Sequence, residues 1–172
     1  TDYVFNTFKR AIDIVQDSEG LDVNLAAVPG LTQETLTQRL VDNCAERGDV
    51  LAIIDLEGGY IPRAERTDDN FGESDGNNLG DVENTINSLK DRNINSSYGC
   101  AYYPWVLARD TATTGQSVWL PPSVVALGVM GNSATESELW FAPAGFNRGG
   151  LTEGDSGLNV VAVRERLSSK DR

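Results

Sequence analysis

The stretch "DVLAIIDL", Asp49 to Leu56, decides how the rest of the chain is read. It is an unbroken β-branched and apolar run, the pattern of a strand buried on both faces rather than one with an alternating wet side. Just upstream, Leu36, Leu40, Val41 and Cys44 fall on one side of a helix. Thr32 is placed to cap its start, and Gly48 follows Arg47 as a C-cap. Before that helix, "LDVNLAAVPG" predicts a short apolar strand over about 21–28, closed by Pro29-Gly30. Strand, helix and strand in this order predict a parallel sheet with a right-handed crossover.

Working outward, Phe5, Phe8, Ile12 and Val15 recur at helical spacing, so residues 3–16 form an amphipathic helix. On the other side, residues 57–80 are rich in Gly, Asn and Asp and predict a long acidic surface loop. Leu79, Val82, Ile86 and Leu89 then restore a helical face. "SSYGCAYYPWVL", Ser96 to Leu107, is uncharged and falls where a central strand is due, with Pro104 at its end because proline cannot donate to a ladder. "SVWLPPS" is a further short strand, and Pro121-Pro122 opens a buried helix over Ser123–Met130. Its Ala126, Gly128 and Gly131 are small enough for another backbone to approach. "ELWFAPAGFNRGGL" is a loop with aromatic anchors, "LNVVAVRERL" returns to strand, and "SSKDR" starts a helix. The expected class is α/β, with a mixed, largely parallel central sheet flanked by helices. Residues 1–20 lead in and 21–172 form one core domain.

Composition narrows the chemistry. A net charge of −12 and an isoelectric point near 4.3 argue against nucleic acid or an anionic membrane as direct partner. The longest apolar run, "VVALGVMG", falls far short of the roughly 18 residues of a membrane span. The chain has no histidine, which removes Ser-His-Asp and Cys-His nucleophiles and every histidine-containing metal site. "GDSG" around Ser156 is therefore a turn and not a protease signature. Asp68, Asp69, Glu73 and Asp75 share one loop but miss the calcium-loop spacing, so a solvated acidic loop is expected. No glycine-rich phosphate cradle follows either early strand. Cys44 and Cys100 are far apart and expected as buried thiols, with one disulfide as the alternative. No catalytic residue, cofactor or metal ligand is expected.

Several segments taken together resemble the tail sheath proteins of contractile-tailed bacteriophages. They are "DVNLAAVPG", "NSSYGCAYYPWVLARD", "VWLPPSVVALGVM" followed by "WFAPAGFNRGGL", and the closing "VRERLSSKDR". The ordered set spans residues 21–172. The resemblance implies a structural polymer. Its subunits ring an inner tail tube, store energy in an extended lattice, and contract to drive the tube through the host envelope. The implied partners are other sheath subunits, the tube protein, and baseplate and tail terminator proteins, in the virion tail and, during assembly, the host cytoplasm. Terminal arms add strands to neighbouring sheets in this family. The chain opens without Met on a helical pattern and stops in mid-element, so it is expected to be a piece lacking those arms, and monomeric alone.

The resemblance also singles out contact candidates. Tyr103, Pro104 and Trp105 reach the surface in one reading, whereas in the other Tyr98, Tyr102 and Trp105 only pack helices on the sheet. Pro121 and Pro122 mark the helix start, and Trp140, Pro143 and Gly145 the loop after it. Phe146 and Arg148 are the stronger surface candidates there, with Arg148 pairing to a carboxylate of a neighbour or within its own chain. Repulsion between subunits of charge −12 predicts assembly that responds to ionic strength. Two other readings stay open: the sheath of a phage-derived injection particle or bacteriocin, and an α/β nucleotide- or metal-dependent enzyme domain. A module binding small molecules or glycans through exposed aromatics is a further alternative.

Overall fold

The computed structural model describes residues 2–56, 82–110, 115–145, 147–152, 154–164, 167 and 169. Among these the chain is mixed α/β, with four helices and two three-stranded sheets. In chain order the elements are α1 (Asp2–Ile14), β1 (Leu25–Ala27), α2 (Glu34–Arg47), β2 (Leu51–Asp55) and α3 (Val82–Asp91). Then come β3 (Gly99–Tyr102), β4 (Val106–Arg109), β5 (Ser117–Leu120), α4 (Pro122–Glu136) and β6 (Asn159–Val163).

The first sheet is parallel, in the order β1-β2-β3, with Ala26 opposite Ala52 and Ile53 opposite Cys100. β2 is the middle strand, and its two faces are both covered. Ala52 and Ile54 join Leu36, Leu40, Val41 and Cys44 of α2 in the main core, with Ile12 of α1 beyond them. Ile53 and Asp55 alternate to the opposite face, where Asp55 meets the start of α4. The second sheet is antiparallel, β5-β4-β6, with a register shift between Leu107 and Ala108 against β6. Val106 and Val160 pack there with Val125 of α4 as a second core.

α2 ends as expected, Gly48 taking φ 78° and its N–H bonding the Cys44 carbonyl. It begins one residue later than expected. Gln33 is the N-cap, because its side-chain oxygen accepts the Leu36 N–H at 2.7 Å. Arg47, the last residue of α2, buries its side chain and donates to the backbone carbonyls of Val15 and Leu21. It thereby ties α1 and the approach to β1 to the helix.

The single largely parallel sheet expected from sequence is corrected to two sheets. "SSYGCAYYPWVL" is not one central strand. Its first half is β3, an edge strand of the described parallel sheet, and its second half begins β4 of the other. Pro104, which has no N–H to donate, stands between the two, as its chemistry requires. Tyr98 and Tyr102 are correspondingly half exposed, and of the three aromatics assigned to the sheet core only Trp105 is buried. Phe8 on α1 is also more exposed than its spacing implied, at 39%. The long acidic loop and all of the closing "SSKDR" but Ser169 lie outside the described residues.

Candidate functional site

Two places in the fold concentrate residues that do more than pack. The first is Asp55, at the carboxyl end of β2, 1% exposed. Its Oδ2 accepts the Gly30 N–H at 2.8 Å and the Ser123 hydroxyl at 2.7 Å, and its Oδ1 accepts the Ser123 N–H at 2.9 Å. Pro121 is the N-cap of α4 and offers no side-chain cap, so the carboxylate meets a helix start whose first N–H groups lack intrahelical partners. Three donors from two other segments therefore converge on one side chain. A carboxylate so occupied is a structural tie: three of its roughly four acceptor sites are engaged by the chain's own donors. Sequence reading passed over Asp55, although an acid closing an otherwise apolar buried strand was the signal.

The second place is a surface. Tyr103, Pro104, Pro122 and Pro143 line one apolar cleft of about 240 Å³, together with Val129 and Met130 of α4. Beside it, the turn after α4 holds Leu139 and Trp140 out of the core, 86% and 77% exposed. Trp140 stacks on Phe141 with ring centroids 4.2 Å apart, and the Arg148 guanidinium lies 4.5 Å from the centre of the Phe141 ring. Arg148 thus makes a cation–π contact with its own loop, where a salt bridge was the local expectation. Gly145 turns that loop at φ 86°.

The fold thus gathers Tyr103, Pro104, Pro122 and Pro143 about one cleft and sets Trp140 and Arg148 on the neighbouring loop. Trp105 stands apart, since it is buried and donates its indole N–H to the Leu56 carbonyl at 3.4 Å. Pro121 serves the helix start. Phe146 lies outside the described residues.

"GDSG" is a turn: the Asp155 carboxylate accepts the Gly150 N–H at 2.8 Å, and the Ser156 hydroxyl donates to the Leu158 carbonyl at 3.1 Å. Among the described residues no group of three or more acids, cysteines or histidines could hold a metal ion. Asp68, Asp69, Glu73 and Asp75 are outside them. No helix among the described residues is long and apolar enough to cross a membrane.

Both cysteines are free thiols, Cys44 buried and Cys100 half-buried. Burial raises the pKa of both. Folding thus disfavours the thiolate, so this contribution to stability is intact below the ordinary thiol pKa and declines as pH rises above it. We expect Cys44 to alkylate with iodoacetamide at pH 8 at least about 100-fold faster in urea than in the folded chain. Equal rates, read by peptide mass spectrometry, would mean that the α2–β2 core is open.

Compared with known proteins, the chain matches no family model and no curated protein.

Proposed function

We propose that the chain is the core of a structural subunit of a contractile bacteriophage tail sheath, polymerising around an inner tube and contracting to drive it through the host envelope. One observation carries the reading. Motif segments far apart in sequence, "YYPW", "PPS" and "WFAPAG", come together around one apolar, outward-facing cleft. Trp140, from the third of them, stands exposed beside it. That is an arrangement suited to a place where subunits meet, since aromatic residues are enriched at contact surfaces relative to the rest of a protein's exterior. The Asp55 tie supports it in a second way. A lattice that shifts between two packings needs subunits that move as firm bodies, and the carboxylate links the parallel sheet to the helix that braces the antiparallel one.

The partners on this reading are further copies of the subunit, the tube protein, and baseplate and terminator proteins at the tail ends. Expressing the entire open reading frame that encodes these residues tests it. Negative-stain electron microscopy should show long hollow cylinders from the full product and compact particles from the 172-residue chain. A full-length product that stays small and soluble under all salt conditions would overturn the proposal.

A further inference from the structure

Helix α1 carries more apolar surface than its own core uses. At about 100° per residue, Asn6, Lys9, Arg10 and Asp13 share one narrow polar side, and the remaining residues form an apolar arc about 200° wide. A helix lying on a core needs roughly half of that arc. The inner half is used: Ile12 is buried and Phe5 packs on the main core. The outer half is Tyr3, Val4, Thr7, Ala11 and Ile14, all exposed, with Tyr3, Val4 and Ile14 at 83%, 59% and 60%. The Thr7 hydroxyl donates to the Tyr3 carbonyl at 2.8 Å, so its polar group is engaged within the helix and its methyl can join the face. Phe8, Ala11 and Val15 continue the face into an apolar groove of about 370 Å³, lined also by Leu21, Val23 and Leu25 at edge strand β1.

We infer that this face is where two copies of the chain pair, α1 against α1 and antiparallel. The occupant follows from the spacing. Val4, Thr7, Ala11 and Ile14 recur at intervals of 3, 4 and 3 residues, a heptad seam that reads the same in both directions. Turned end for end, a second α1 sets its Ile14 opposite Val4 and its Ala11 opposite Thr7. The larger side chains meet at the ends and the smaller ones at the centre, where the helices can approach closely. The antiparallel sense also places each helix N-terminus beside the other's C-terminus, where their dipoles attract. Arg10 is the one charged residue of α1 that borders the seam, so α1 brings no carboxylate to the contact despite the net charge of −12. Tyr3, Val4, Phe8, Ala11 and Ile14 together leave on the order of 500 Å² bare on each copy. Pairing would remove about 1,000 Å² in total, the lower limit for a specific interface, which makes the dimer weak and concentration-dependent. The inference rests on no part of the sheath reading, and it replaces the monomer expected for this piece alone.

Sedimentation of the 172-residue chain from about 10 µM to about 1 mM, in about 0.5 M salt to screen the net repulsion, tests it. The weight-average mass should climb from 18.6 kDa toward twice that value. Ala11→Glu, at an exposed helical position that glutamate suits, should weaken association at least about tenfold. Orientation is read by oxidising an equimolar mixture of Val4→Cys and Ile14→Cys chains. Peptide mass spectrometry should find position 4 of one copy joined to position 14 of the other. A mass that stays at 18.6 kDa, an Ala11→Glu chain that associates like wild type, or disulfides joining 4 to 4 and 14 to 14 would each overturn the inference. So would a cross-link present in the 172-residue chain and missing from the product of the entire reading frame, since another segment would then cover the face. If circular dichroism shows Ala11→Glu unfolded, the disulfide pattern still decides. The cylinder assay does not enter, so the sheath reading stands or falls separately.

Discussion

Asp55→Ala should destabilise the folded chain by about 3–5 kcal/mol, a large share of the roughly 5–15 kcal/mol that holds a domain together. The cost lies less in the lost bonds than in what stays behind. Gly30 N–H, Ser123 N–H and the Ser123 hydroxyl all point at the carboxylate, and Ser123 is fully buried. Alanine leaves the two Ser123 donors without an acceptor in a buried site, while the exposed Gly30 can turn its N–H to water. Asn keeps one oxygen but turns an amide N–H toward at least one donor, so Asp55→Asn should fall between wild type and alanine. Urea unfolding measures this, with an unchanged slope and a lower midpoint as the expected result. A loss below about 1 kcal/mol for alanine would mean that the carboxylate is not the tie.

Gly128→Ala should lower stability by about 2 kcal/mol, while Gly131→Ala in the same helix should raise it by up to about 1 kcal/mol. Both glycines lie within α4, where alanine is the better helix former. What separates them is the neighbour. A Cβ at position 128 would stand 2.1 Å from the Ser156 carbonyl oxygen, whereas one at position 131 meets nothing within 4 Å among the described residues. The obstructing atom belongs to backbone, in the turn that leads to β6, so it cannot rotate aside as a side chain would. The displaced turn also carries Leu158, which packs on the second core. By the usual scaling for a chain of this size, the two variants should part by roughly 6–12 °C in Tm. Equal melting temperatures would show that the turn does not sit on the helix. Of the close approaches expected from sequence, the one at Gly128 is therefore found, and among the described residues the one at Gly131 is not.

Much of the first half of the fold follows from local pattern. The unbroken apolar run at 50–54 has no wet side to offer, so it had to be covered on both faces, and it is. The α2 face of Leu36, Leu40, Val41 and Cys44, the stop at Gly48 and the start at Pro121-Pro122 each rest on chemistry confined to a turn or two of helix. That is why they are legible without the rest of the molecule. The strand "LNVVAVRERL" and the loop at "WFAPAG" are legible for the same reason.

What local pattern does not carry is which strands pair. "SSYGCAYYPWVL" contains β-formers throughout, so nothing in its composition announces that the chain leaves one sheet and enters another at Pro104. Pairing is set by contacts across dozens of residues, β4 finding β5 on one side and β6 on the other. Burial of the tyrosines follows from that choice, and an edge position leaves Tyr98 and Tyr102 half in solvent. The candidate site shows the same division. Trp140, Pro143 and Arg148 could be named from their motif, but the cleft that joins Pro143 to Tyr103 and Pro122 exists only once helix, loop and strand have met. Asp55 makes the contrast sharpest: the sequence by itself determined that an acid would end the central strand, and only the tertiary structure brought it Gly30 and Ser123, without whose donors a buried carboxylate would be too costly to keep.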